Sequence, residues 1–335
     1  MRQRHNFLCN LRTPIVVIVL SISFISCHTK KKQEIPSEVV NTLKNKAILE
    51  YKINAQLGEG AFWNHDTQEL YWIDIEAKQL HIYNPKTTNN RTLETPSRVG
   101  TVVPIDQTSA VVALEDGIYT INTSTGVTTL LSNVEQDLPS NRFNDGKCDP
   151  SGRLWVGSMG LKQLPFDANL YMIDAKGQAS LKLDSITISN GIVWTKDKTT
   201  MYYIDTPTLE IKAFDYDDAT GAISNPRVAV KVADSLGYPD GMTIDEHDNL
   251  WVGMWNGNAV LCFDPKTGHV ISKIEVPAHN VTSCAFGGAT LDTLFITTAS
   301  IDMSEEEQQQ YPLAGSVFKA VPGVKGVKST FFKTE

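Results

Sequence analysis

One structural unit returns along this chain at intervals of 40 to 50 residues, and that spacing limits the possible folds more than any other feature. The unit is an apolar strand, a polar turn, an aromatic strand, a short turn and an alternating strand. Its first full copy is Phe62-Trp63, a polar stretch from Asn64 to Glu69, then Leu70-Tyr71-Trp72-Ile73-Asp74. It recurs as Lys147-Cys148-Asp149-Pro150-Ser151-Gly152-Arg153-Leu154-Trp155-Val156-Gly157, and again from Ile192 to Asp205, Met242 to Gly253 and Cys284 to Ile296. A weaker member runs from Val99 to Leu114. The opening motifs fall at Glu59, Val99, Asn144, Asn190, Asp240 and Ser283, in steps of 40, 45, 46, 50 and 43. Six units with about four period-2 runs each predict an all-β, six-bladed β-propeller. No segment between 47 and 298 keeps a helical period, which argues against an α/β sheet. The ring is expected to close by the chain's end completing the first blade.

What precedes the repeat reads as targeting sequence. Arg2, Arg4 and Arg12 flank the apolar run PIVVIVLSISFI at 14–25, too short to span a bilayer, where about 20 residues are needed. The run ends in Phe24-Ile25-Ser26-Cys27, which resembles a bacterial lipoprotein cleavage box with Phe24 where Leu is usual. The expected organisation is a lipoprotein-type signal peptide at 1–26, a Lys-rich tether at 27–46 and the propeller at 47–335. Cys27 would carry the lipid, and the domain would be exported to the periplasm or cell surface. Cys148, Cys262 and Cys284 remain, an odd number without C-x-x-C spacing, and read as buried thiols; one pair could still bridge. The formal charge of −8 and the lack of a basic stripe argue against nucleic acid as a partner.

In a propeller the first strands of the blades line the channel, so residues forty-odd positions apart can converge. Four motifs at the same phase put a side-chain oxygen beside glycine: Gly58-Glu59-Gly60, Asn144-Asp145-Gly146, Asn190-Gly191 and Asp240-Gly241. Each alone is an ordinary turn dipeptide, and they are expected to be turns entering the first strands. Their shared phase is what suggests a site. Carboxylates and amides without His or Cys suit a hard cation, Ca²⁺ foremost, with Mg²⁺ or Mn²⁺ also admitted. The seven histidines show no zinc spacing, and no Gly-x-Ser-x-Gly elbow is present, which disfavours a zinc site and a serine hydrolase. Trp63, Trp72, Trp155, Trp194 and Trp251 read as blade packing; Trp255, in an expected loop, is the one that could face a ligand.

Leu57-Gly58-Glu59-Gly60, Arg142-Phe143-Asn144-Asp145-Gly146-Lys147, Ile188-Ser189-Asn190-Gly191, Tyr238-Pro239-Asp240-Gly241-Met242 and Thr282-Ser283-Cys284-Ala285-Phe286-Gly287-Gly288 resemble, in order, the gluconolactonase/regucalcin (senescence marker protein) family. The resemblance covers 47–321. It implies one divalent metal, Ca²⁺ first and Mg²⁺, Mn²⁺ or Zn²⁺ as alternatives, held by Glu59, Asn190 and Asp240. It further implies substrate hydroxyls contacted by Arg142 and Asn144, and hydrolysis of an aldono-type sugar lactone. Asp240 would double as general base. The chain departs from the family after Met159, where Gly160-Leu161-Lys162-Gln163-Leu164 replaces a loop that often carries an acid. A lysine turned into the channel there would favour an anionic or differently hydroxylated substrate. Two other classes fit the same residues: a propeller that binds Ca²⁺ or carbohydrate without turnover, and a broader metal-dependent esterase.

Overall fold

The computed structural model describes residues 45–335 as a β-propeller of six blades. The leader, most of the tether and Cys27 lie outside the described residues. Blade 1 consists of Gly58–Asn64, Glu69–Asp74, Gln79–Asn84 and Asn89–Glu94, joined in simple antiparallel order. Blades 2 to 5 repeat that meander, opening with Val99–Pro104, Asn141–Cys148, Ser189–Trp194 and Tyr238–Ile244. Blade 6 takes three strands from the end of the chain, Asn280–Gly287, Thr293–Ala299 and Val317–Ala320. First strands neighbour one another round the ring and are buried almost throughout.

Closure differs from the expectation. The strand Ile48–Tyr51 pairs antiparallel with Val317–Ala320, so the chain's start completes the last blade. The reason is a count of strands: blade 1 already has four of its own, and the last unit supplies only three. Just upstream, Asn45–Lys46 runs parallel to His269–Glu275 at the outer edge of blade 5, so the entering chain links two blades.

Local chemistry explains the repeated turns. Asp149 accepts amide hydrogens from Ser151 and Arg153 and also the indole hydrogen of Trp155 at 2.9 Å. Asp245 does the same for His247, Asn249 and Trp251. One carboxylate thus fixes a turn and the tryptophan of the next strand together. The five blade tryptophans are buried, as expected. Cys148, Cys262 and Cys284 are buried free thiols. The acidic run at 304–310 forms a short helix, Glu305–Gln310, with a Ser304/Glu307 capping box.

After blade 6 the chain crosses one end of the channel. Gly326 donates to Leu291, Glu246 to Lys325, Phe332 to Pro104 and Lys333 to Gly152, all at or beside turns that end the first strands. Phe332 is 2% exposed among Val102, Val103, Phe143 and their neighbours, and Phe331 stacks on His65 at 4.3 Å. Because this segment bridges most of the ring, Phe332→Ala should destabilise the domain by about 3–5 kcal/mol. A lowered urea midpoint would report it; an unchanged midpoint would mean that the tail adds nothing to the closure of the ring.

Candidate active site

Each first strand carries one residue too many for its partner. The registers skip between Glu59 and Phe62, Val99 and Thr101, Phe143 and Gly146, Ser189 and Ile192, Pro239 and Met242, and Val281 and Cys284. The motifs expected to be turns before these strands are therefore β-bulges inside them. Bulge and turn share a local signature, a polar residue beside glycine, which is why the sequence pattern did not separate them. A bulge re-aims its side chain, and here it aims into the channel. Glycine is needed because neighbouring strands crowd at this height. A Cβ on Gly191 would lie 2.5 Å from the Met242 Cβ, and one on Gly241 2.6 Å from the Ser283 Oγ.

Glu59, Arg142, Asn144, Asn190 and Asp240 come from four blades and line a single cavity of about 540 Å³, a size ordinary for a small-molecule site. All five are less than 9% exposed. The cavity lies at the starts of the first strands, whereas the tail covers their far ends. The buried Glu59 and Asp240 carboxyls are close enough for each to shift the other's pKa. Burial and then the neighbouring Asp145 raise Glu59 from its ordinary 4.5 to about 8. Asp240 is raised well above its ordinary value by burial first and by Glu59 next, and Asp145 is raised mainly by burial. Beneath them Lys147 donates to the Met242 carbonyl at 2.7 Å, with burial lowering its pKa and Asp145 opposing that shift. Arg142 is lowered to about 10, burial being the main cause and Glu76 the strongest opposing neighbour.

The amides are held by named partners. Arg142 Nη1 donates to Asn144 Oδ1 at 2.6 Å and to the Phe143 carbonyl at 3.0 Å. Asn144 Nδ2 donates to the Ser189 carbonyl at 2.7 Å and to Asn190 Oδ1 at 3.3 Å. Asn190 Nδ2 donates to Thr206 Oγ1 at 2.8 Å, and that hydroxyl donates to the Pro239 carbonyl. Thr206 therefore fixes which way the Asn190 amide faces. Sequence reasoning missed it, since it sits 16 positions away in the short 3₁₀ turn Thr206–Thr208. Asp74 and Asp205 were also missed. Asp74 accepts from the Gln56 and Leu57 amides just before Glu59, and Asp205 from Thr187 and Ile188 just before Asn190. A signal existed, for Tyr71-Trp72-Ile73-Asp74 and Tyr202-Tyr203-Ile204-Asp205 end alike.

At the mouth, Leu161 and Gln163 line the cavity; the exposed Lys162 between them is not part of its wall, so the lysine expected there does not shape the pocket. Trp255 does line it, as the last residue of the strand Leu250–Trp255 rather than from a loop. Among the described residues no group of three His, Cys, Asp or Glu side chains forms a metal site by itself. A metal centre here requires the Asn190 amide oxygen beside the two carboxyls. That donor set fits a hard cation: all oxygens, with buried acids whose pKa values are raised while no positive charge joins them.

Residues 57–300 match the family described as SMP-30/Gluconolactonase/LRE-like region. YvrE of Bacillus subtilis (strain 168), provisionally named a sugar lactone lactonase, is 39% identical over 274 residues, covering 82% of this chain and 94% of that protein. Regucalcin of Danio rerio is 34% identical over 291 residues, covering 86% and 98%. Among solved structures, the calcium-binding protein regucalcin of Agrobacterium tumefaciens superposes with a TM-score of 0.83 at 28% identity, over 87% of this chain and 98% of that one. The matched region spans all six bulged motifs in full and begins one residue before the first strand of blade 1. With its fold, its motif order and these relatives in agreement, the chain belongs to the SMP-30/gluconolactonase/LRE-like family.

Proposed function

We propose that this protein is a metal-dependent hydrolase that opens a sugar-derived lactone of the aldono type. The observation that carries the reading is the meeting of two buried carboxyls, one oriented amide and one buried arginine on the wall of a single cavity. Glu59, Asn190 and Asp240 would hold the cation, Ca²⁺ by the chemistry of the donors and by the printed name of the Agrobacterium relative. When bound, a divalent cation there supplies Lewis-acid polarisation of the lactone carbonyl and neutralises developing oxyanion charge. Arg142 has Nε and Nη2 without hydrogen-bond partners among the described residues, and these can donate to substrate hydroxyls. Asn144 ties Arg142 to Asn190, so substrate position and ligand position are set together. Asp240 is the base that takes the proton from the attacking water. The lactone ring then opens to a hydroxy acid. From the leader sequence alone we also propose export and lipidation at Cys27; loss of lipid labelling in Cys27→Ser is the check.

The direct test is pH-monitored hydrolysis of an aldonolactone panel, metal-free and then with Ca²⁺, Mg²⁺, Mn²⁺ or Zn²⁺. Metal-restored acid release is expected, and Asp240→Ala should lower it by at least about a thousandfold while the domain stays folded. A variant with near-normal turnover would remove Asp240 from the chemistry. Bound Ca²⁺ without turnover of any lactone would favour a binding protein.

Calcium affinity should depend on pH with a definite sign. Below about 8 the Glu59 carboxyl of the metal-free protein carries a proton that the cation must displace. Affinity should therefore rise with pH, by at least about tenfold per unit between 6 and 8. Calorimetry at pH 7 in buffers of different ionisation heat would count the released proton; a flat profile would mean that Glu59 is not a ligand. Thr206→Val frees the Asn190 amide to rotate and should weaken Ca²⁺ binding by about 10–100-fold, with Thr206→Ser restoring it.

A further inference from the structure

Above the five site residues, one wall of the cavity is built from charged side chains that the reaction outlined above leaves unused. Glu76 and Arg98 both line it. Glu76 follows the second strand of blade 1, and Arg98 stands one residue before the first strand of blade 2. Arg98 Nε donates to both Glu76 oxygens, at 3.0 and 2.9 Å, and Arg98 Nη1 donates to Glu115 Oε1 at 2.9 Å. Its Nη2 has no hydrogen-bond partner among the described residues. The side chains of Arg98, Glu76 and Glu115 are only 33%, 23% and 29% exposed.

This row of acid, base and acid has three chemical consequences. A carboxylate has about four lone-pair sites, so Glu76 can still accept hydrogen bonds from a ligand after binding Nε. Because the arginine is braced from behind by Glu115, the pair is held in place before a ligand arrives and little entropy is lost on binding. The two glutamates outweigh the arginine by one charge, which repels a phosphate or a second carboxylate on the ligand. An apolar substituent would strand these groups without water or partners, at a cost. Exocyclic hydroxyls satisfy all three conditions.

We propose that Glu76 and Arg98 form the subsite that receives the hydroxylated tail of a neutral sugar lactone, Glu76 accepting from one hydroxyl and Arg98 Nη2 donating to another. The assignment rests on the lactonase reading and narrows its substrate class to uncharged polyol lactones. It also gives Glu76 a second effect, as the neighbour that most offsets the burial of the Arg142 charge.

The test compares kcat/KM, in the presence of Ca²⁺, for three probes: D-glucono-1,5-lactone, tail-less δ-valerolactone, and D-glucaro-1,4-lactone, which carries a carboxylate. The wild type should prefer the first over both others. Glu76→Gln keeps side-chain size and a bond to Arg98. It should reduce the glucono/valero ratio by at least about tenfold, mainly through KM, as expected for one hydrogen bond to a charged group. The glucono/glucaro ratio should fall too, because a repelling charge is gone. A variant that slows glucono- and valerolactone equally would reveal a merely structural role and overturn the proposal. So would a wild type that opens lactones without preferring the neutral hydroxylated one, and in that case the lactonase reading stands. If the wild type opens none of the three probes, the lactonase reading fails and the subsite falls with it.

Discussion

Every channel strand gives up one step of its ladder at the same height, and on that shared defect the candidate site depends. A regular strand alternates its side chains, so consecutive residues cannot both serve a channel. The extra residue between Ser189 and Ile192, or between Pro239 and Met242, breaks the alternation and turns Asn190 or Asp240 inward. Six such bulges at one level make a ring of inward-facing positions. Which positions carry chemistry is then decided by residue type alone. Blades 1, 4 and 5 contribute Glu59, Asn190 and Asp240, blade 3 contributes Arg142 and Asn144, and blade 2 has Gly100 at the bulge, where its lack of a side chain lets Phe143 approach. The cost is a set of glycines that neighbouring strands press against. They leave no room for a Cβ, which ties the packing of the ring to the existence of the site.

Electrostatics gives the ring a preferred occupant. Glu59, Asp145 and Asp240 are buried together, with Arg142 and Lys147 as the nearby bases. Burial disfavours every one of these charges, and repulsion from neighbouring acids adds to it at Glu59 and Asp240, so the carboxyls are raised. A divalent cation replaces that repulsion with attraction, and its gain is greatest where water is excluded. On the proposed reading, the same crowding that raises the carboxyls is what favours a cation in the cavity.

The fold and the main cavity-lining residues are readable in the sequence because both are periodic. The six-blade count follows from motif spacing, and a shared phase in the repeat picks out Glu59, Asn144, Asn190 and Asp240 from other glycine-adjacent polar residues. What could not be read depends on contacts without a period. Thr206 orients Asn190 across 16 residues and a change of strand, and no local pattern encodes that pairing. Closure was assigned to the wrong terminus because a unit with three strands and one with four look alike when strand edges are soft. Bulges and turns read alike in the sequence because glycine beside Asn or Asp is the local solution to both. Asp74 and Asp205 lay in plain view as the shared ends of two aromatic strands, but their role as clamps on the backbone entering Glu59 and Asn190 emerges only when the sheet is assembled.

The division of labour in the molecule follows from where rigidity is available. The groups proposed to bind the cation and orient the substrate sit on strands packed on all sides, where a displacement of one side chain strains its neighbours in two blades. The rim is different: Glu76 and Arg98 lie just outside their strands, and Leu161 and Gln163 belong to a connection between strands. Segments of that kind accept substitutions and length changes without disturbing a ladder. On the proposed assignment, a charged trio anchored as Glu76, Arg98 and Glu115 are would set substrate preference while the bulged ring beneath keeps one chemistry. On that reading, reaction type is written in the channel strands, and substrate identity in the residues that connect them.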